Sequence, residues 1–307
     1  MRLAACLLTG LLACGGGAQA TERPTGHVAR IVVHEPSGVE AGMVVRWFLP
    51  PGPGPFPVVV YSHGRDPSAA GRAHVRLGIG PAQLLFWRAR GVAVVTPVRP
   101  GYGASGGADV EDPGVHLDAT GQCVGQAEFA READAAVRAL DATLAWLREQ
   151  PWADARQVLL EGQSVGGLAT VAAAARALPG VVGYVNFAGG SGGNPERSPG
   201  DSCDRDRLAA LYADYGRSTT VPNLWVYALN DRYWGADAPR EWHAAFARGG
   251  SPTVLVQEPP VPDGDGHELA AHPAPLWAPA VDAFLARLGP PWNAASAPRP
   301  VLRLDPG

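Results

Sequence analysis

The sequence predicts an α/β fold in which a mostly parallel central sheet is covered by helices on both faces. Short apolar runs alternate with helical patterns from about residue 58 to residue 288, and such alternation builds parallel sheets. Successive residues of these runs are apolar, which is typical of strands buried on both sides. The 307 residues, 46% of them hydrophobic, suffice for one large domain, although two small domains remain an alternative.

The first two predicted strands have no helix between them. Residues 28–33 and 43–49 mix alternating and β-branched side chains, which indicates strands. Because a parallel pair would need a crossover segment, we expect these two strands to form an antiparallel edge. A turn rich in Pro and Gly at 50–57 then leads to the first buried strand, at 58–61.

Beyond this point predicted helices and strands follow one another. Residues 129–149 repeat apolar side chains at steps of three and four, which indicates a helix, and Pro151 stops it. The same arguments predict further strands at 92–95, 158–160, 181–187, 224–229 and 253–256, and further helices at 81–90, 165–178, 240–248 and 276–288.

Two stretches interrupt the alternation, at residues 104–126 and 189–221, and both are rich in Gly, Asp, Pro and Ser. Long loops in a compact domain are usually functional or disordered, and we interpret these as short lid loops that meet over the functional site. One loop carries Cys123 and the other Cys203. In an oxidising compartment this pair predicts one disulfide, with two buried free thiols as the alternative.

The N-terminus is typical of an export signal. Arg2 is followed by an apolar run at 3–13 and by an A-x-A cleavage site at 18–20. Alternatively, residues 11–14 resemble a lipobox, with Cys14 carrying a lipid that would anchor the protein to a membrane. Both interpretations place the mature protein outside the cytoplasm. The predicted organisation is a signal peptide at 1–20, one domain at 21–289 and a Pro-rich tail at 290–307, extended or loose.

Charge and composition exclude several functions. All 25 Lys and Arg residues are Arg, so neither a Schiff-base lysine nor a Walker phosphate loop is possible. The net charge of −4 and the absence of a basic run argue against a nucleic-acid partner.

The strongest motif is G-x-S-x-G at residues 162–166, with Ser164 at its centre. It follows the predicted strand at 158–160 and precedes an Ala-rich helix, which is the context of a nucleophile on a tight strand-to-helix turn. The helix N-terminus would add partial positive charge for an oxyanion. Ser164 is therefore the candidate nucleophile.

A serine nucleophile needs a base, and the base needs an acid that fixes its tautomer. In this strand-turn-helix context the chain order is nucleophile, acid, base. Asp231 follows the predicted strand at 224–229, at the sheet edge where ligand sites of α/β proteins gather. Asp237 is the alternative acid.

The candidate base is His267, which stands in the Gly-rich loop after the last predicted strand and before the last helix. His243 lies within a helical pattern and His272 precedes Pro273, so both are weaker candidates. The segment from His267 to His272 resembles H-E-x-x-H with one residue too many. Its two histidines would point to different helix faces, which argues against a zinc site.

An oxyanion hole needs two backbone N–H donors. One is assigned to Val165, the residue after the nucleophile. The other is assigned to Arg65, with Gly64 as the alternative, because a glycine after the strand at 58–61 lets the loop bend toward the site. We expect His63 to support this loop by hydrogen bonding.

These motifs, together with R-P-G-Y-G-A-S-G-G at residues 99–107, resemble the α/β-hydrolase superfamily over residues 56–288. The H-G loop and the G-x-S-x-G-G elbow are most similar to the dienelactone-hydrolase-like group, from which Ser164 departs by standing in place of cysteine. The resemblance implies the α/β-hydrolase fold and acyl transfer to water. It implies no metal and no organic cofactor.

The resemblance also suggests a substrate, a small-molecule or polymer-borne carboxylic ester. Tyr102, Tyr233 and Trp234 lie near the predicted site loops and are either substrate-binding or packing residues. A serine peptidase or amidase of the prolyl-oligopeptidase type is one alternative, disfavoured because a single hydrolase domain leaves no room for a gating domain. A non-catalytic binding module is another, disfavoured because all three triad positions are occupied.

Overall fold

The structure is a computed structural model that describes residues 26–295 apart from Leu77. The predicted signal peptide at 1–20, with its alternative lipid site Cys14, lies outside the described residues, as do residues 296–307 of the predicted tail.

In chain order the strands are β1 (His27–His34), β2 (Glu40–Phe48), β3 (Phe56–Ser62), β4 (Ala93–Val98), β5 (Val115–Leu117), β6 (Cys123–Gly125), β7 (Ala153–Gln163), β8 (Val181–Phe187), β9 (Gly193–Asn194), β10 (Ser198–Ser202), β11 (Asn223–Ala228) and β12 (Thr253–Glu258). The helices are α1 (Ala69–His74), α2 (Pro81–Ala89), α3 (Phe129–Leu147), α4 (Val165–Ala175), α5 (Arg205–Ser218), α6 (Asp237–Ala247), α7 (Ala278–Leu288) and α8 (Trp292–Ala295). Short 3₁₀ turns occupy Gly103–Ser105, Gly266–Ala271 and Ala274–Leu276.

The central sheet has eight strands in the order β1-β2-β4-β3-β7-β8-β11-β12. The pairs β1–β2 and β2–β4 are antiparallel, and the remaining neighbours are parallel. The predicted antiparallel edge and the predicted parallel sheet are both confirmed. Because the parallel strands run the same way, the chain segments that follow β3, β7, β11 and β12 meet at one edge of the sheet.

Helices cover both faces of the sheet. Val58 and Val60 of β3 join the apolar core formed with α3, α4, α5 and α6, whereas Val59 and Tyr61 join the core formed with α2 and α7. Successive side chains of a strand point to opposite faces, so both faces of β3 are buried. This explains why its sequence is an unbroken apolar run.

The two predicted loops contain regular structure. Residues 104–126 hold the hairpin β5–β6, and residues 189–221 hold β9, β10 and the 14-residue helix α5. The expectation of a loop throughout 189–221 was therefore wrong. Only Leu208, Tyr212 and Gly216 of α5 are buried. This stripe of one residue per turn is too narrow to stand out in the sequence.

The predicted disulfide between Cys123 and Cys203 is confirmed, with their Cα atoms 5.7 Å apart. It joins β6 to the residue that precedes Asp204, the N-cap of α5. The two segments that interrupt the predicted alternation are therefore covalently linked.

Removing this cross-link is expected to destabilise the fold. The bond closes a loop of 80 residues, and in the chain-entropy model such a loop stabilises by about 4 kcal/mol. A variant with both Cys123→Ser and Cys203→Ser should lose this amount in urea unfolding followed by circular dichroism. Either single replacement should lose a similar amount, and a double variant as stable as the oxidised protein would contradict the prediction.

The start of the predicted tail packs against the domain. Trp292 of α8 is 1% exposed. Its ring lies 6.4 Å from that of Trp87, and its Nε1 donates to Gln157 Oε1 at 3.1 Å. The expectation of an extended or loose tail from residue 290 was therefore wrong for α8. Burying the large apolar surface of a tryptophan ring stabilises the packed arrangement over a solvent-exposed one. None of the helices in residues 26–76 and 78–295 is long and apolar enough to cross a membrane.

Candidate active site

Ser164 lies at the turn between β7 and α4. Its φ of 58° and ψ of −127° are rare for a residue with a side chain. A Cβ on Gly162 would overlap the carbonyl oxygen of Gly166, and one on Gly166 would overlap that of Ser62. The flanking glycines are therefore required by the close approach of backbone segments at this turn, as the motif predicts.

The Ser164 side chain does not cap α4. Its backbone is held by two hydrogen bonds, from Ser164 N to Phe187 O at 3.0 Å and from Leu168 N to Ser164 O at 3.1 Å. The hydroxyl group is left to line a pocket.

The predicted acid and base lie together at the ends of neighbouring strands. His267 Nδ1 is 3.2 Å from both Asp231 Oδ1 and Oδ2, and the two side chains are 4% and 0% exposed. The backbone N–H groups of Tyr233 and Trp234 donate to Asp231 Oδ1 at 2.8 and 3.1 Å. The carboxylate is therefore fixed in place and can accept a hydrogen bond from the Nδ1–H group of His267. In this tautomer Nε2 carries no proton and is the acceptor nitrogen.

The loop of His267 is attached to the turn that carries Ser164. Gln163 Nε2 donates to His267 O at 3.0 Å, and the Tyr233 ring stacks on the imidazole with centroids 4.0 Å apart. Asp231 supplies the only hydrogen bonds to the imidazole from the described residues. Ser164 is therefore not hydrogen-bonded to His267 in this structure. Catalytic hydrogen bonds are often long or poorly aligned without substrate and tighten when substrate binds.

The alternative residues are placed elsewhere. Asp237 begins α6, is 71% exposed and pairs with Arg240. His243 bonds Thr253 Oγ1 at 2.9 Å. In the described part of the chain, no group of three His, Cys, Asp or Glu side chains could hold a metal ion.

The loop after β3 packs directly against the nucleophile. A Cβ on Gly64 would lie 3.2 Å from Ser164 Cβ. The Arg65 side chain is held by bonds to Glu111 O at 2.8 Å and Asp109 Oδ2 at 2.6 Å, and the residue lines the same pocket as Ser164. No backbone acceptor among the described residues takes the Arg65 N–H, and Val165 stands in the first turn of α4, where N–H groups lack intrahelical acceptors.

His63 has the supporting position that we expected. The N–H of Arg99 donates to His63 Nε2 at 3.2 Å, so Nδ1 carries the proton and donates to Gly64 O at 2.7 Å. Burial, reinforced by the Arg99 charge, holds the pKa of His63 well below its usual value. This histidine is therefore neutral and shapes the loop.

Ser164 lines a cavity of about 240 Å³ together with Val165, Tyr233 and Trp234. The hairpin β5–β6 contributes residues 115–117, and the segment 190–195 closes another side. The two disulfide-linked segments thus meet over the serine. The volume lies below the roughly 300 Å³ at which ligand pockets usually begin, which favours a small ligand.

Solved structures share this arrangement of strands and helices. An esterase of Pyrococcus furiosus has a TM-score of 0.56 at 14% identity, over 85% of this chain and 91% of its own. A lidless α/β serine hydrolase of Xanthomonas campestris has 0.51 at 18%, over 86% and 95%. The acylaminoacyl peptidase of Pyrococcus horikoshii has 0.57 at 14%, over 86% of this chain and 41% of its own.

The chain has the α/β-hydrolase fold. At such identities the likeness concerns the fold, and the chain's activity has to be argued from its site. No protein-family model matches the chain, and no curated protein sequence is significantly similar to it.

Beneath the loop after β3 the protein has a buried ion pair that sequence reasoning missed. Arg99 Nη2 donates to Glu111 Oε2 at 3.0 Å, and both side chains are at most 1% exposed. Arg99 Nη1 also donates to Ser62 Oγ at 3.0 Å and to His63 O at 2.5 Å. Arg99 thereby fixes the direction of the loop. Glu111 stands in an irregular polar segment, where the sequence contains no periodic signal for a buried acid.

Tyr102 does not line the pocket. It is 0% exposed, donates from its hydroxyl to Glu111 Oε2 at 2.9 Å and packs against His63. The expectation that it binds substrate was wrong, because the buried ion pair draws its hydroxyl inward. Of the three aromatic candidates, Tyr233 and Trp234 are the two in the pocket.

A second buried acid of the protein, Glu132 on α3, does line the pocket. It is 0% exposed, and burial raises its pKa to about 8. An acid in the first turn of a helix is common because it complements the helix dipole. The sequence therefore offered no reason to single it out.

The raised pKa predicts how Glu132 affects stability. The folded state binds this proton more tightly than the unfolded state, whose pKa is near 4.5. The protonated Glu132 therefore contributes its full stabilisation to the folded state below about pH 4.5, and this contribution is lost as pH rises through about 8. As pH rises from 5 to 9, the free energy of unfolding of Glu132→Gln should therefore increase relative to that of wild type by on the order of a few kcal/mol.

Urea unfolding at a series of pH values tests this prediction. Asp141→Asn is a matched control, because Asp141 is exposed on the same helix. Its difference from wild type should show little pH dependence. If the free energy of unfolding of Glu132→Gln differs from that of wild type by a constant amount over the same pH range, the prediction is contradicted.

Proposed function

We propose that the protein is a serine hydrolase that cleaves carboxylic esters through an acyl-enzyme. One observation carries the proposal: Ser164 lines a small pocket from a strained strand-to-helix turn, and the residue before it, Gln163, is hydrogen-bonded to the backbone of His267, whose buried ring is paired with Asp231. A polar pair buried this deeply is costly unless its groups are bonded. Its position at the carboxyl ends of β11 and β12 is where such folds carry their chemistry.

In the proposed first step, His267 Nε2 accepts the proton of Ser164 Oγ as the oxygen attacks the ester carbonyl. Asp231 holds the tautomer and stabilises the imidazolium that forms. The carbonyl oxygen becomes an oxyanion, and in this proposal the backbone N–H groups of Val165 and Arg65 stabilise it. The N-terminus of α4 adds partial positive charge.

In the second step the tetrahedral intermediate collapses. The bond to the alcohol breaks, and His267 donates its proton to the leaving oxygen. Water then loses a proton to His267 and attacks the acyl carbon, the bond from that carbon to Ser164 Oγ breaks, and His267 returns its proton to Ser164 Oγ as the carboxylic acid leaves. The residues present suffice for these steps, with no metal or organic cofactor.

The ester is proposed over an amide because of how the similar structures match. The match extends over 91% of the Pyrococcus furiosus esterase but over 41% of the acylaminoacyl peptidase. A peptidase or amidase is the second candidate, since the same triad cleaves amides when the leaving nitrogen is protonated. A puromycin hydrolase, with a TM-score of 0.56 at 17% identity, is also among the similar structures.

We also propose that the protein is exported, with residues 1–20 as signal peptide, 21–289 as the hydrolase domain and 290–307 as its tail. The disulfide is compatible with an oxidising compartment. Within the domain, the H-G loop and the elbow sequence support the dienelactone-hydrolase-like group. Membrane attachment would require the lipid at Cys14, and the substrate would be a small-molecule or polymer-borne ester.

Labelling with a fluorophosphonate, followed by assays on p-nitrophenyl esters and aminoacyl amides, tests the function. We expect covalent labelling of the peptide that contains Ser164, together with turnover of short-chain esters. Labelling with turnover of amides alone would assign a peptidase or amidase. A folded protein that is neither labelled nor active on any compound would indicate a non-catalytic binding module.

A further inference from the structure

The carboxyl group of Glu132 makes no hydrogen bond with the residues that the structure describes. Both of its oxygens are buried without a hydrogen bond from the described residues, and the residue lines the pocket that contains Ser164. Buried polar groups are nearly always bonded, and one left unbonded is costly. An unbonded acid in a pocket wall is therefore a candidate for ligand binding.

Glu161 shows that this chain can bury a carboxyl group with partners. Its side chain is equally buried and its pKa is also raised to about 8 by burial. Its oxygens nevertheless accept hydrogen bonds from Gln83 Nε2 and, at 2.6 Å, from Trp87 Nε1. Glu161 is outside the pocket lining. The missing partners of Glu132 thus coincide with its place in the pocket wall.

The positive charges near Glu132 are committed to other acids. Arg65 lies 2.6 Å from Asp109, and Arg99 binds Glu111 in the buried pair. These two arginines lower the pKa of Glu132 slightly and Glu111 raises it, but burial has the largest effect. Among the described residues, no cation forms a salt bridge with Glu132.

Two hydroxyl groups lie near enough to Glu132 to interact with it electrostatically. The Ser191 side chain is close enough to lower the pKa of Glu132, although it makes no hydrogen bond within 3.5 Å. The Tyr212 hydroxyl is buried and also unbonded, and its pKa is raised in part by Glu132. Neither group supplies the positive charge that would stabilise an ionised Glu132.

We propose that Glu132 binds an ammonium group, so that the pocket takes small substrates with a primary amine in the part that enters it. An ammonium supplies both things the carboxylate lacks, namely N–H donors and a positive charge. Hydrolysis of such a compound rests on the proposed function. Binding of the ammonium group does not depend on that function.

Binding of the ammonium shifts one proton. Near pH 7 Glu132 is mostly protonated, because its pKa is about 8. When the ammonium enters, the carboxyl O–H bond breaks, the proton passes to the buffer, and the carboxylate accepts N–H hydrogen bonds. Binding should therefore release close to one proton at pH 7 and almost none at pH 9. Affinity should rise as pH rises through about 8, until the amine itself loses its charge near about pH 10.

Calorimetry on the Ser164→Ala protein tests this proposal without hydrolysis. The probes are n-butylammonium and its neutral counterpart n-butanol, each measured at pH 7 and 9 in buffers of different ionisation enthalpy. A hydrogen bond to a charged group contributes about 1.5–3 kcal/mol. We therefore expect the ammonium to bind at least about tenfold more tightly than the alcohol, with proton release at pH 7.

Adding Glu132→Gln should abolish both the preference for ammonium and the proton release, whereas adding Asp141→Asn should preserve both. Thermal unfolding checks that each variant folds. If the glutamine variant does not fold, proton release in the Ser164→Ala protein still decides. Equal binding of the two probes, binding of ammonium without proton release, or an unchanged preference in folded Glu132→Gln overturns the proposal.

The two proposals fail separately. Ester turnover without a preference for ammonium would leave the hydrolase function standing and reject the role of Glu132. Ammonium binding with proton release, in a protein that no fluorophosphonate labels, would support the role of Glu132 and reject the hydrolase function.

Discussion

Replacing Ser164 with alanine is expected to lower kcat for ester hydrolysis by at least about 10³-fold. In the proposed mechanism the variant keeps the N–H groups that stabilise the oxyanion but loses the oxygen atom that forms the acyl-enzyme. Steady-state assays on the best p-nitrophenyl ester measure the loss, and fluorophosphonate labelling should disappear with it.

The fold should survive this change, because the Ser164 side chain caps no helix and the turn is held by backbone hydrogen bonds. Ser218→Ala is a suitable control, since Ser218 lies exposed at the end of α5. It should retain wild-type turnover. If Ser164→Ala retains more than a few per cent of the activity on every ester tested, Ser164 is not the nucleophile.

Replacing Asp231 with asparagine is expected to lower turnover by up to about 10⁴-fold, the loss seen for the equivalent change in the best-studied serine protease triad. The asparagine oxygen can still accept from the N–H groups of Tyr233 and Trp234, so the loop should keep its shape. Its amide can instead donate to His267 Nδ1. That places the imidazole proton on Nε2, where it prevents His267 from accepting the proton of Ser164.

Asp237→Asn is the matched control. Asp237 is exposed at the start of α6 and pairs with Arg240 on the surface, where an ion pair contributes little. We expect near wild-type kinetics. The reverse ranking of the two variants would assign the acid to Asp237, and wild-type turnover in both would mean that the acid lies elsewhere or that His267 is not the base.

The arrangement around Ser164 could be predicted because its causes are local. The G-x-S-x-G pattern describes a turn whose backbone segments approach so closely that Gly162 and Gly166 cannot carry a side chain. The apolar runs such as β3 report burial on both faces. His267 stands in the glycine-rich loop that follows the last strand, and parallel strands place their carboxyl ends at one edge.

Other features depend on contacts between segments far apart in the chain. Asp231 and Asp237 follow the same strand, and only packing shows that Asp231 faces His267 while Asp237 faces solvent. Helix α5 went unpredicted because its buried stripe is one residue per turn. Tyr102 was assigned to the pocket from its position in the chain, but the Arg99–Glu111 pair binds its hydroxyl in the interior.

The sequence by itself determined the fold class, the turn that exposes Ser164 and the short list of possible acids and bases, because turn geometry and strand burial follow from neighbouring residues. Only the tertiary structure decided which charges are paired. Glu132 and Glu161 are both buried glutamates, yet Glu161 is bonded to Gln83 and Trp87, whereas Glu132 has no hydrogen bond from the described residues and lines the pocket. The difference arises because burial and hydrogen-bond partners are supplied by other elements of the fold, which the residues next to an acid do not specify.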